Sequence, residues 1–145
     1  MKNQKGQSLF EVVLALAVIS IIIVALVFLA SNSIRNTTFS KNKTLSARFS
    51  QETVEWLRGE RDADWAAFDA HALASSKYCL QTLDFEDLGT CDDGDFLAET
   101  NLVRELTLTR IGLNSDQVQA EIEVSWSDAQ GDHATTFVTD FTDWR

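Results

Sequence analysis

The sequence predicts an α+β protein, with one long N-terminal helix and an antiparallel sheet of three to four strands. Three observations carry this. Residues 12–30 are apolar apart from Ser20. A run of about 20 apolar residues matches the ~30 Å hydrocarbon thickness of a bilayer at ~1.5 Å rise per residue. Beyond that run, apolar positions continue at helical spacing, and neither Gly nor Pro interrupts before Gly59. From Leu102 onward the apolar period changes to two. An amphipathic half-helix is unstable alone in water, and a sheet with one apolar face needs a partner. Packing one on the other meets both needs.

Residues 1–6, MKNQKG, hold Lys2 and Lys5 and no acid, like the first part of an export signal. The apolar run that follows is longer than the ~7–15 residues of a signal-peptide core. A membrane helix is therefore preferred to a signal cut near Ala30 or Ser33. Glu11 is the single charge between Gly6 and Ile34, and an anchor alone has no use for it. Arg35, Lys41 and Lys43 flank the far end as strongly as Lys2 and Lys5 flank the near one, so the positive-inside rule leaves orientation open. Ile34, Thr38, Leu45, Phe49 and Trp56 fall on one stripe, with Arg35, Asn36, Lys41, Lys43, Arg48 and Glu52 between them. Gly59 has the place of a C-terminal cap, so the helix is expected to end at Arg58, roughly 75 Å from its start near Ser8.

Residues 62–74 read as a short Ala-rich helix capped by Asp62 or Asp64, with Trp65, Phe68 and Ala72 inward and His71 an ordinary helix residue. Residues 75–95 read as a loop holding Cys79 and Cys91. In the next segment Leu102, Arg104, Leu106, Leu108 and Arg110 alternate against Val103, Glu105, Thr107 and Thr109. Val118, Ala120, Ile122, Val124 and Trp126 alternate in the same way, and Phe137, Thr139 and Phe141 repeat at spacing two. Period two means half-buried strands. Residues 112–116 break the first pair, and residues 127–132 make the hairpin turn between the second and third strands.

The net charge of −10 is uneven. Residues 31–59 carry five bases against two acids, and residues 60–145 carry five bases against 19 acids. The distal part repels bare phosphate backbones, so no broad nucleic-acid surface is expected. It suits solubility, a cation or a basic partner. Eleven residues separate the two cysteines, too many for a redox CxxC pair, and two His make no convincing zinc set. On the oxidising side of a membrane they would form a disulfide worth roughly 3 kcal/mol; two buried free thiols are the alternative.

A short basic leader, a glycine, and a glutamate at the fifth residue past it, all opening an apolar helix, resemble the prepilin signature of type IV pilins and type II secretion pseudopilins. The motif stands here as Gly6-Gln7-Ser8-Leu9-Phe10-Glu11, followed by Val12-Val13-Leu14-Ala15-Leu16-Ala17, which looks like the minor members of the group. The resemblance covers the first 35 residues by motif and the rest by layout, and it implies the pilin-like form of the α+β fold already reached. It implies three parts: a leader, 1–6, removed on maturation; a transmembrane half-helix, 7–34; and an extracytoplasmic domain, 35–145, that includes the amphipathic half-helix 35–58. A prepilin peptidase would cut between Gly6 and Gln7. Gln7, where the family usually has Phe or Met, would become the methylated N-terminus. Glu11 would pair with the terminal amine of a neighbouring subunit and set the assembly register. Ser20 and Phe28 stand where many major pilins have Gly and Pro, so an unbroken helix is expected. The Cys79–Cys91 pair resembles the loop-clamping disulfide of many pilins.

The implied partners are other pilin or pseudopilin subunits, the peptidase, an inner-membrane assembly platform and the lipid bilayer. The implied location is the inner membrane, single-pass with the N-terminus in the cytoplasm, then a surface pilus or periplasmic pseudopilus. Asp92, Asp93, Asp95 and Glu99 cluster around Gly94. Oxygen-rich loops bind calcium, and some pseudopilins do so, but EF-hand spacing is absent; a plain acidic loop and no cofactor is the reading taken. Trp56, Trp65, Trp126 and Trp144 are read as core or rim packing. No Ser/His/Asp or Cys/His arrangement and no phosphate loop supports an enzyme. Two other functions fit this sequence: a membrane-anchored binding module that never polymerises, and a DNA-uptake pseudopilin.

Overall fold

The structure, a computed structural model, describes residues 5–73, 75–92, 94–111 and 116–143. The chain divides into two compact units, Met1–Lys41 and Asn42–Arg145. In the first, helix α1 (Lys5–Ala63) begins. It continues unbroken through Ser20 and Phe28. Its large apolar side chains from Leu9 to Leu29 are all exposed within the chain. Its hydroxyls close on the helix itself: Ser20 donates to the Leu16 carbonyl at 2.7 Å, Thr37 to Ser33 at 2.9 Å and Thr38 to Ile34 at 3.1 Å. A helix whose polar groups are satisfied internally can sit in lipid, where water cannot serve them. It is the one helix, among the described residues, long and apolar enough to cross a membrane.

In the second unit the later part of α1 lies against a four-stranded antiparallel sheet. The strands are β1 (Ser76–Cys79), β2 (Leu102–Ile111), β3 (Gln117–Asp128) and β4 (Gly131–Thr142), in the spatial order β1-β2-β3-β4. A short helix α2 (Trp65–Ala70) links α1 to the sheet. The alternating register puts Leu102, Leu106 and Leu108 of β2 on one face with Val118, Ala120, Ile122, Val124 and Trp126 of β3. All of these are buried, and Val54 and Leu57 of α1, Phe68 of α2 and Phe141 of β4 complete the core.

Several elements differ from the sequence reading. The covered face of α1 is Asn42, Ser46, Ser50, Thr53, Val54 and Leu57. Leu45, Phe49 and Trp56 are half-buried on its flank, while Ile34 and Thr38 are exposed. Small polar residues can occupy the contact because they return their hydroxyls to the helix: Ser50 donates to the Ser46 carbonyl at 3.0 Å and Thr53 to Phe49 at 2.9 Å. Ser46 also bonds across to Thr135 of β4.

The helix does not end at Arg58. It runs through Gly59 to Ala63, and Gly59 is not among the positive-φ residues. A glycine C-cap needs the left-handed conformation, which Gly59 does not adopt. The break comes at Asp64, whose carboxylate accepts from the Ala66 and Ala67 amides at 3.0 and 3.2 Å and so begins α2. That helix is shorter than expected, six residues.

Residues 76–79, read as loop, are a strand, because pairing with β2 outweighs the weak pattern of SKYC. The β3–β4 ladder closes to Asp128↔Gly131, leaving only Ala129 and Gln130 in the turn. There the Asp128 carboxylate accepts the Gln130 amide at 2.8 Å, which holds its pKa below the usual carboxylate range. Residues 1–4 of the leader, the 112–115 break, Asp93 and Trp144 lie outside the described residues.

Gly59 and Gly131 should respond oppositely to alanine. A Cβ at Gly59 meets nothing within 4 Å, so Gly59→Ala should stabilise the domain by roughly 0.5–1 kcal/mol through helix propensity. Gly131 has φ +119°, so Gly131→Ala should destabilise it by about 1 kcal/mol or more. Urea unfolding of both variants checks this; a loss at Gly59 would mean a capping conformation there.

Candidate functional site

Three groups of residues stand out: the N-terminal signature, the disulfide-closed connection and two arginines on the core face of β2. Gly6 and Gln7 lie in the first turns of α1, and Glu11 is exposed on the same helix. Among the described residues Glu11 forms no ion pair within its own chain. A carboxylate at the edge of an apolar helix costs on the order of 3 kcal/mol when carried deep into lipid, unless a cation meets it.

Cys79 ends β1 and is bonded to Cys91, with Cα atoms 4.9 Å apart. The bond closes the connection between β1 and β2 onto the sheet. Further contacts hold the same segment: the Cys91 amide donates to Glu105 at 2.9 Å, and Lys77 pairs with Glu105 at 2.7 Å. The Leu80 amide donates to the Arg104 carbonyl at 2.9 Å. Inside the closed segment Phe85 packs on Trp56 at 4.6 Å, stacks on His71 at 3.9 Å and meets the Tyr78 ring edge-on at 5.3 Å. Aromatic contacts of this kind cover the Trp56 flank of α1. The two sulfurs and the Asp95 carboxylate stand close enough to resemble a metal set, but cysteines bonded to each other offer no thiolate.

The acidic residues after Cys91 are only partly brought together. Asp95 accepts from the Asp92 amide at 2.7 Å and from the Gln81 side chain. Glu99 is exposed in a separate turn with φ +52°. Asp95 thus acts as the internal acceptor of a turn.

Arg104 and Arg110 were visible in the sequence as charged residues at inward positions of an alternating strand, and that is the signal by which they could have been singled out. Arg104 is 3% exposed. Its Nε donates to the Leu80 carbonyl at 3.1 Å, its Nη1 to the Phe49 carbonyl at 3.4 Å, and Glu52 lies 3.8 Å away. Burial pulls its pKa down, and the Glu52 carboxylate offsets part of that. One guanidinium therefore ties α1, β2 and the closed connection together. Arg110 does the same for α2, forking onto the Asp69 carboxylate, with Nε–Oδ1 at 2.6 Å, and onto the Asp69 carbonyl at 3.2 Å.

Comparison with known proteins locates one match. Residues 1–27 fit the family model described as the prokaryotic N-terminal methylation motif, the signature of type IV pilins and pseudopilins. No curated protein and no solved structure matches the chain. At its N-terminus, then, the chain is type IV pilin-like.

Two substitutions measure the ties. Arg104→Met keeps apolar volume but strands the Leu80 carbonyl, while the Phe49 carbonyl keeps the Thr53 hydroxyl. It should cost roughly 1–3 kcal/mol in chemical denaturation followed by tryptophan fluorescence, and Arg104→Lys should recover less than half because it lacks the planar fork. Cys79→Ser should cost about 3 kcal/mol on the chain-entropy account. It should also raise proteolysis within residues 80–90; unchanged cleavage there would show the aromatic contacts suffice.

Proposed function

We propose that this chain is a structural subunit, present at low copy, of a type IV pilus or pseudopilus. It is made as a precursor with its N-terminus in the cytoplasm and its domain outside, held in the inner membrane by α1. A prepilin peptidase cuts between Gly6 and Gln7, Gln7 is methylated, and an assembly platform in the inner membrane passes the subunit into a filament of other pilin-type chains. The observation that carries this reading is the Gly6-to-Glu11 signature, inside the matched residues 1–27, at the head of a helix whose apolar side chains the chain itself leaves exposed.

Each residue has a physical role here. Gly6, without a side chain, lets the first turn open at the bilayer face for the peptidase, and a first turn is the least cooperative part of a helix. Cleavage creates a free amine on Gln7. Glu11 of one subunit pairs with the amine of its neighbour, which removes the penalty of a lone carboxylate and sets the axial step. The disulfide supports an oxidising location for the domain. The unbroken helix at Ser20 and Phe28 supports a minor over a major subunit.

Mass spectrometry of the mature chain tests the reading. A start at Gln7 carrying one methyl group is expected. A start at Met1 would favour a permanent anchor, and one near Asn32 a secreted domain. Gly6→Leu should leave the precursor uncut, whereas Glu11→Ala should be cut normally yet fail to enter filaments. Normal incorporation of the Glu11 variant would remove its register role.

A further inference from the structure

The two edges of the sheet are treated differently. On the β1 side, the Cys79 amide donates to the Asp87 carbonyl at 2.9 Å, the Gly89 amide donates to Lys77 at 2.7 Å, and Tyr78 bridges Leu88. That edge is closed by the chain itself. The β4 edge is not: among the described residues, β3 alone pairs with β4. β4 is twelve residues long. It keeps uninterrupted register with β3 from Gln117↔Thr142 to Asp128↔Gly131, so no bulge turns it aside. It holds no Pro, Lys or Arg, the residues that usually blunt an edge. Its centre, residues 134–139, reads ATTFVT, uncharged and rich in strand formers.

The two faces beside this edge differ in chemistry. Toward α1, Phe137 sits opposite the fully buried Ile122 yet is itself 45% exposed. It borders a groove lined by Ala47, Ser50 and Gln51 of α1 and by Thr135 and Thr136. On the far face Val138 is 51% exposed and pairs with Glu121, while Thr136 pairs with Glu123. Asp132 and Asp140 share that face by alternation, and Asp140 accepts from the neutral Gln119 amide at 3.0 Å. Neither β3 nor β4 carries a Lys or Arg to balance the four carboxylates.

We propose that β4 is a docking edge that takes an extended segment of another protein chain as a fifth strand. That segment is apolar on the face beside Phe137 and basic on the face beside Glu121, Glu123, Asp132 and Asp140. Main-chain hydrogen bonds supply the affinity, and the alternation of apolar and basic side chains supplies the selection. The charge also chooses against a second copy of β4 in the same place, since two acidic edges would face each other. This goes beyond the pilin reading and does not depend on cleavage at Gly6.

The test uses the full chain in detergent micelles and three synthetic peptides of about ten residues, the length of a typical strand. One alternates valine and lysine, one alternates valine and glutamate, and one is the valine–lysine peptide N-methylated at every residue, so that neither edge can donate. The lysine peptide should bind and shift the backbone amide signals of β4. The other two should bind roughly tenfold or more weakly. Val138→Lys should weaken the lysine peptide similarly; if that variant disturbs the fold, the methylated peptide decides, because it leaves the protein unaltered. Equal binding of the methylated peptide would reduce the effect to charge adhesion and overturn the proposal. So would equal binding of the glutamate peptide, no binding at all, or a self-association that Val138→Lys abolishes.

Discussion

The domain Asn42–Arg145 depends on one contact, the seating of a small-residue helix face on the apolar face of the sheet. Asn42, Ser46, Ser50 and Thr53 are buried there, although each is polar. They are tolerated because hydroxyls at helical spacing return to the helix's own carbonyls, as Ser50 and Thr53 do. Across this contact Arg104, from the sheet, reaches the Phe49 carbonyl of the helix. A buried cation is weak evidence for stability in itself. Here it links three segments at once, which gives it a geometric role.

The flanks of the helix are then finished unequally. On one side the disulfide-closed connection lays Phe85 over Trp56 and seals the β1 edge. On the other side nothing comparable covers Ala47, Gln51 or Phe137 among the described residues. An edge strand with exposed apolar residues is a hazard unless something occupies it. The acidic surround of β4 both keeps like copies away and defines what could replace them. Solubility and selectivity thus come from the same carboxylates.

The N-terminal unit poses the opposite problem. Its hydroxyl Ser20 is satisfied within the helix, but its apolar side chains from Leu9 to Leu29 are exposed, and among the described residues Glu11 forms no ion pair. Such a segment is finished by its surroundings. Lipid can take the apolar side chains, but it cannot take Glu11 without cost. The signature in residues 1–27 and this unmet carboxylate therefore describe the same need from two directions.

The sequence by itself determined most of what has a period or a spacing, though not the helical stripe, since Ile34 and Thr38 are exposed. The apolar run, the alternation on β2 and β3, the β3–β4 hairpin and the Gly6–Glu11 offset are local patterns, and local sterics and solvent preference are enough to read them. Tertiary structure decided the rest. The strand at Ser76–Cys79 exists because β2 offers it a ladder, which no propensity in SKYC announces. Gly59 stays inside the helix, which runs on to Ala63, against its own preference for a cap. The buried helix face is largely polar, Asn42, Ser46, Ser50 and Thr53, which no hydrophobic stripe announced. Arg104 was legible as an anomaly at an inward position, but its partners at Leu80 and Phe49 are 24 and 55 residues away in the chain. No spacing rule reaches that far, since only the folded chain brings such distant carbonyls to one guanidinium.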